Sequence, residues 1–348
     1  MANKKRIVQV GNKYLGGDYP ILVQTMANVK TSKVEEILEM DKDLTLLGND
    51  LLRLSILDEE DAEAFKYLSS HTSTPLIADI HYSYRFAIKA MENGASAIRI
   101  NPGNIGSEEN LVKVLKVAKE RNIPIRIGVN SGSLPSDLKN KKDQAQAYIA
   151  ALKQSLDVFE KYNFKNLVLS LKSSDPNITY QAYKLADQEF DYPLHIGVTE
   201  AGASYVGALK SAVALVPLLK EGIGNTIRIS LTEPPRDEVI AANQLLKAMN
   251  LKDNLPELVS CPTCGRTQVD LFKVYNIVQD KLAYVHKNIK VAIMGCPVNG
   301  PGEAKDADIG LAGGKDCFLV FKKGQVVKTL KEDEAIKYLL EEIEKLSV

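Results

Sequence analysis

The 348-residue chain has no tryptophan, only four cysteines and no long apolar run. No stretch approaches the roughly 18 apolar residues of a membrane span. The opening segment MANKKRIVQVGNKYLGGDYP is basic but has neither an apolar h-region nor a cleavage site. Four cysteines without a leader predict a protein of the reducing cytoplasm and exclude a disulfide framework. The sequon Asn177-Ile178-Thr179 then carries no meaning. Excess charge is also lacking: Lys plus Arg and Asp plus Glu both number 44, so formal net charge is zero. That balance, with no basic run interleaved with aromatics, argues against nucleic acid as a partner.

What is present is an ordinary globular composition, 45% hydrophobic and 25% charged. The length suits two domains, or one large barrel with an appendage. Between residues 20 and 250, short apolar runs alternate with amphipathic stretches. The runs predict strands at 21–26, 51–57, 75–81, 97–103, 123–130, 166–174, 193–202 and 226–232. Repeated strand–helix units imply a parallel sheet, and eight of them match a (β/α)8 TIM barrel. A doubly wound open sheet is the alternative. VIAANQLLKAMN (239–250) would be the eighth helix, followed by a polar, Pro-containing connector, LKDNLPELVS. The predicted domains are therefore 1–255 and 256–348. The second reads as a small α+β unit: a helix near 268–287, a strand at 290–296, a Gly/Pro-rich loop, a hairpin at 317–330 and a charged terminal helix.

The predicted strands carry polar residues where core strands normally carry Val and Ile. These include Arg53 and Ser55, Asp79 and His81, Arg99 and Asn101, and Arg126 and Asn130. Later strands add Lys172, then His195, Thr199 and Glu200, then Arg228 and Ser230. Spacings of two and four place most of them on one face of their strand. In a barrel that face is the interior, and its C-terminal end is the active-site mouth. One reading is buried ion pairing with Asp79 and Glu200. Two acids against five bases leave positive charge over, which favours an anion pocket whose Arg forks grip a diphosphate. His81 and His195 lie at the same mouth, where each is either a hydrogen-bonded core residue or a functional group. Gly310-Leu-Ala-Gly-Gly-Lys-Asp316 is not a phosphate loop, because its glycine spacing is wrong and Asp replaces the metal-holding Ser or Thr; it reads as a turn before the hairpin.

Three cysteines and a glutamate stand near the C-terminus: Cys261-Pro-Thr-Cys264, then Cys296 and Glu303 within GCPVNGPGE. A Cys-x-x-Cys turn places two sulfurs within reach of one metal centre. Three thiolates suit an iron–sulfur cluster, normally held by four ligands. A carboxylate as the fourth would be unusual and more easily displaced than sulfur. Cys317, inside CFLVF, reads as a small core hydrophobe; recruiting it would instead give a four-cysteine zinc site. A barrel enzyme on a phosphorylated or pterin-type substrate with a zinc domain, like the barrel of dihydropteroate synthases, is thus an open alternative. So is a non-catalytic metal protein that binds RNA through CPTCGR.

The motifs VQTMANVKT (23–31), ADIHYSYR (78–85), RINPGNIG (99–106), IRIGVNSGSL (125–134), VTEAG (198–202), CPTCGR (261–266) and GCPVNGPGE (295–303) occur together. In this the chain resembles the 4-hydroxy-3-methylbut-2-enyl diphosphate synthases of the non-mevalonate isoprenoid pathway, in their bacterial two-domain form. The resemblance implies a TIM barrel followed by an iron–sulfur domain of the nitrite/sulfite reductase type. It also implies one 4Fe-4S cluster per chain, held by Cys261, Cys264, Cys296 and Glu303, and a head-to-tail homodimer. The implied substrate is 2-C-methyl-D-erythritol 2,4-cyclodiphosphate, with electrons from reduced flavodoxin or ferredoxin. Arg53, Arg99, Arg126, Lys172 and Arg228 match its diphosphate ligands. Asp79, Asn101, Asn130, His195 and Ser230 are expected as further substrate contacts. Glu303 is expected to yield to the substrate, and Glu200, with His81 second, to supply the proton.

Overall fold

A computed structural model describes residues 4–101, 104–130, 134, 138, 143–298 and 304–347. The chain divides into two compact units, Met1–Leu251 and Lys252–Val348.

The first unit is a parallel barrel. Its strands are β3 (Leu22–Met26), β4 (Leu51–Ile56), β5 (Leu76–Ile80), β6 (Ala97–Ile100), β7 (Ile125–Asn130), β8 (Leu167–Lys172), β9 (His195–Ile196) and β10 (Thr226–Ile227). They pair in the order β8-β7-β6-β5-β4-β3-β10-β9. A parallel bridge between Leu169 and Leu194 joins the two ends of that order and closes the ring. Helices α1 (Val34–Leu46), α2 (Glu59–His71), α3 (Tyr84–Glu92), α4 (Glu108–Glu120), α5 (Gln144–Lys161), α6 (Pro176–Glu189), α7 (Ser204–Lys220) and α8 (Pro235–Ala248) return the chain between strands. Their apolar stripes explain why they pack outward on the ring: α4, for example, buries Leu111, Val114, Leu115 and Ala118 at helical spacing.

Two barrel strands are shorter than their apolar runs suggest. After Arg228, whose N–H still bonds Ile196, the backbone leaves the ladder: Leu231 N–H bonds the Glu238 carboxylate and Thr232 N–H bonds Gly202. One side-chain and one loop-carbonyl acceptor thus replace strand pairing past β10.

A feature absent from the sequence expectation precedes the barrel. Strands β1 (Val8–Val10) and β2 (Lys13–Leu15) form a hairpin around Gly11-Asn12, with Gly11 at φ +58°. Val8, Val10 and Leu15 pack on Leu22, Leu51, Ile77, Ala97 and Val168. These barrel residues sit toward the N-terminal ends of their strands, so the hairpin floors the barrel. Lys5 ties the segment down: its buried ammonium ion-pairs with the Asp187 carboxylate at 2.8 Å and donates to the Asp187 and Phe190 carbonyls at 2.9 and 2.6 Å.

The second unit is a five-stranded sheet in the order β11-β12-β13-β14-β15. Strands β11 (Glu257–Ser260), β12 (Lys290–Met294) and β13 (Ile309–Gly314) are parallel, and β13, β14 (Cys317–Lys322) and β15 (Gln325–Leu330) are antiparallel. Two expectations are corrected here. The connector after residue 250 contains β11, and the segment Gly310–Gly314 belongs to a central strand, with only Lys315-Asp316 forming the turn. Helices α9 (Leu271–Leu282) and α10 (Glu332–Ser347) build the apolar core on one face with Val291, Ile293, Ile309, Leu311, Phe318 and Val320. The other face is lined by Ala292, Met294, Ala304, Ala307, Ala312 and Phe321. Cys317 is half-buried at the start of β14. Among the described residues, no helix is long and apolar enough to cross a membrane.

Candidate active site

Strand geometry decides which side chains enter the barrel. Residues two apart share a face, so Arg53 follows Leu51, Asp79 follows Ile77, Arg99 follows Ala97, and Ser170 and Lys172 follow Val168. Each step climbs from the apolar floor toward the mouth. There Arg53, Asp79, His81, Arg99, Arg126, Asn130, Lys172, His195, Arg228 and Ser230 line one cavity of about 180 Å³, with Met26, Gly128, Ser170 and Thr199 completing the wall. Asn101 and Glu200 are not among the lining residues. Glu200 is exposed, next to Thr199, on left-handed backbone at φ +53°. Glu303 lies outside the described residues, as do Pro102 and Gly103 at the end of the fourth predicted strand.

The ion pairs differ from the sequence expectation. Asp79, almost fully buried, faces Arg53 and His81 at 3.5 Å and Arg99 at 3.4 Å. Burial alone would raise its pKa, but Arg53, the His81 hydrogen bond and Arg99 hold the carboxyl well below the usual range. The second acid is Glu238 on α8, not Glu200. Its carboxylate takes Arg228 Nε and Nη2 at 2.9 Å each, the Thr25 hydroxyl at 2.6 Å and the Leu231 N–H at 3.0 Å. Its sequence signal was faint: an acid in the first turn of a helix, eight residues past Ser230, where no strand spacing applies.

Arg126 is held by a neutral partner. Its Nη1 donates to Gln24 Oε1 at 2.5 Å, and its Nη2 has no hydrogen-bond partner among the described residues. Gln24, two residues before Met26 on the inward face of β3, was overlooked within VQTM. Burial first, then Arg53 and Arg99, push the Arg126 pKa well below its ordinary value. Arg53 is pushed down to about 10, again chiefly by burial. Lys172 and His195 are depressed in the same way. Five basic side chains, four of them guanidinium groups, thus face two carboxylates. A buried cationic surplus is costly without an anion, so the pocket is built to receive one. Glycines make the room. A Cβ on Gly128 would lie 3.3 Å from Arg99 Nε, and one on Gly197 would lie 2.9 Å from Lys172 Nζ.

In the second unit, β11 and β12 deliver the cysteine loops side by side. Cys261 follows β11, and its Sγ accepts the Gly295 N–H at 3.2 Å. Gln268 N–H bonds the Gly295 carbonyl, which fixes CPTCGR against the segment entering Cys296. Cys264 is exposed, Cys261 half-buried and Cys296 buried. The Arg266 backbone N–H, aided by its side chain, lowers the Cys264 thiol pKa. Among the described residues, no three His, Cys, Asp or Glu side chains are grouped as a metal site.

The fold and the cationic mouth define a TIM-barrel enzyme for an anionic substrate, joined to a thiol-bearing α+β domain. Comparison with known proteins narrows the class. Residues 5–243 match the family model described as the GcpE TIM-barrel domain, and residues 257–345 match the GcpE protein C-terminal domain. A protein of Caldanaerobacter subterraneus subsp. tengcongensis named 4-hydroxy-3-methylbut-2-en-1-yl diphosphate synthase (flavodoxin) is 49% identical, covering 99% of this chain and 98% of its own. The identically named protein of Clostridium tetani is 48% identical over 97% and 98%. The chain belongs to the GcpE family. Among solved structures, dihydropteroate synthase from Stenotrophomonas maltophilia superposes with a TM-score of 0.54 at 18% identity, covering 70% of this chain and 97% of that one. That likeness shows the barrel fold alone.

Proposed function

We propose that the chain catalyses the reductive ring opening and dehydroxylation of 2-C-methyl-D-erythritol 2,4-cyclodiphosphate to 4-hydroxy-3-methylbut-2-enyl diphosphate, as its relatives' name implies. The observation that carries the reading is the surplus of cations in one buried barrel mouth. Arg53, Arg99, Arg126, Lys172 and Arg228 hold the diphosphate and stabilise the oxygen that departs as the ring C–O bond breaks. Asn130 and Ser230 orient the ring from the same wall, with Asn101 beyond it.

The reaction takes up two electrons and releases one hydroxyl as water. Side chains do not supply such electrons, so a cofactor is required. The thiols of Cys261, Cys264 and Cys296 fit an iron–sulfur group, since they stand on adjoining loops and a backbone N–H already points at the Cys261 sulfur. With Glu303 as the displaceable fourth ligand, they would hold one 4Fe-4S cluster, in a domain of the nitrite/sulfite reductase type. When bound, that group supplies single-electron reduction and a Lewis-acidic iron. Glu200 is the proposed acid for the leaving hydroxyl. It follows Thr199 of the pocket wall, on left-handed backbone that is strained for a non-glycine residue. His81, on the pocket wall, is the second choice.

Reduced flavodoxin, named in the relatives, is the proposed donor, with ferredoxin as the alternative. The assembly is proposed as a homodimer in the cytoplasm, whose reducing conditions suit cysteines kept as thiols. Anaerobic reconstitution tests the scheme. A broad band near ~400 nm, about four irons and four sulfides per chain, and turnover of the cyclic diphosphate with reduced flavodoxin are expected. A colourless protein holding a single zinc would sink it.

A further inference from the structure

Two basic nitrogens meet inside the pocket. Lys172 Nζ lies 3.0 Å from His195 Nε2, and His195 Nδ1 lies 2.6 Å from Thr226 Oγ1. Both basic side chains are almost completely buried. A hydrogen bond between two bases needs one N–H and one lone pair. Were both fully protonated, N–H would face N–H, so the pair carries at most one positive charge while the contact lasts.

Its surroundings oppose even that one. Arg228 beyond β10, Arg126 on β7 and Arg53 on β4 all act on Lys172, with Glu238 on α8 in favour. Asp79 is already engaged by Arg53, Arg99 and His81. The Tyr148 and Tyr183 hydroxyls donate to the Lys172 and His195 carbonyl oxygens and add no charge. Burial and these cations lower the affinity of both bases for a proton. Neutral and charged Lys172 can each donate to Nε2, with the Nδ1–H of His195 passed on to Thr226. Protonation therefore requires no side chain to move.

We propose that Lys172 waits in the empty pocket largely uncharged, and that the Lys172–His195 pair takes up a proton from solvent as the cyclic diphosphate enters. His195 is then a positioning residue that accepts from Lys172 through Nε2 and donates its Nδ1–H to the Thr226 hydroxyl. The inference rests on the diphosphate reading of the pocket.

Calorimetric titration of the full chain with the cyclic diphosphate, electron donor withheld, tests it in buffers of different ionisation enthalpy. Each ring phosphorus carries one ester and one anhydride oxygen, leaving a single strongly acidic hydroxyl, so the ligand itself exchanges no proton near neutrality. At about pH 8, uptake approaching about one proton per site is expected, with affinity falling up to about tenfold per unit as pH rises. Lys172→Arg installs a stronger base, and Arg53 in the same pocket still titrates only at about 10, so the variant should bind with the uptake lost at pH 8. Uptake that persists in that variant would place the proton elsewhere and overturn the proposal. Binding without uptake by the unaltered protein overturns this proposal alone. Absence of binding overturns the diphosphate reading as well.

Discussion

At the floor of the barrel, Leu22, Leu51, Ile77, Ala97 and Val168 pack against Val8, Val10 and Leu15 of the hairpin. One inward step along the same strands stand Gln24, Arg53, Asp79, Arg99 and Ser170. Because the strand repeat is two, a single step converts an apolar layer into a polar one. The floor gains stability by removing apolar surface from water. The mouth gives some of it back, since Arg126 and Lys172 are buried beside like charges. A substitution that lowers stability at one end should therefore spare function, and one that abolishes function at the other should spare stability.

The largest expected effect is at the mouth. Arg126→Met should cut kcat/KM for the cyclic diphosphate by about 100- to 1,000-fold, as removal of a preorganised charge-stabilising donor does elsewhere. Its thermal midpoint should hold or rise, because a desolvated cation with only a neutral partner disappears. Steady-state kinetics beside calorimetry would check both halves. Unaltered kinetics would remove Arg126 from the anion pocket. The floor gives the converse. Leu51→Ala should cost about 3 kcal/mol in chemical denaturation, with substrate affinity of the folded protein unchanged. A loss of affinity matching the loss of stability would mean that the two layers are not separable.

The mouth was more legible in the sequence than the floor, for physical reasons. Charged residues inside β-branched runs are conspicuous, and a spacing of two fixes their common face without tertiary knowledge. The floor hairpin was hidden because VQV and KYL are three residues each, and their purpose appears only once a barrel end needs covering. The four-residue strand β11 was masked by the Pro-containing connector around it. Gly310–Gly314 has low strand propensity, yet a Cβ on Gly310 would meet Phe321 Cζ at 2.4 Å. The glycine is set by its cross-strand neighbour, which local sequence does not reveal. Glu238 was overlooked for the same reason: Glu200, considered with Asp79 as an ion-pairing acid, lies in the same predicted strand run as His195, whereas Glu238 arrives from a helix.

Glu238 offers the smallest and most discriminating test, because it belongs to both ends of the comparison. It is buried like a floor residue, yet it holds a mouth cation. Glu238→Gln keeps one acceptor oxygen but turns an amide N–H toward a donor, and should cost about 1–2 kcal/mol of stability. Its kinetic effect separates two roles. If Glu238 only offsets charge, its neutralisation leaves the pocket more positive, so KM falls and kcat stands. If the bidentate grip on Arg228 positions that fork for the transition state, kcat falls by about tenfold while KM does not rise. We expect the second pattern, since both Arg228 nitrogens are engaged at 2.9 Å by the two carboxylate oxygens. A fall in KM with kcat unchanged would assign Glu238 to charge balance alone.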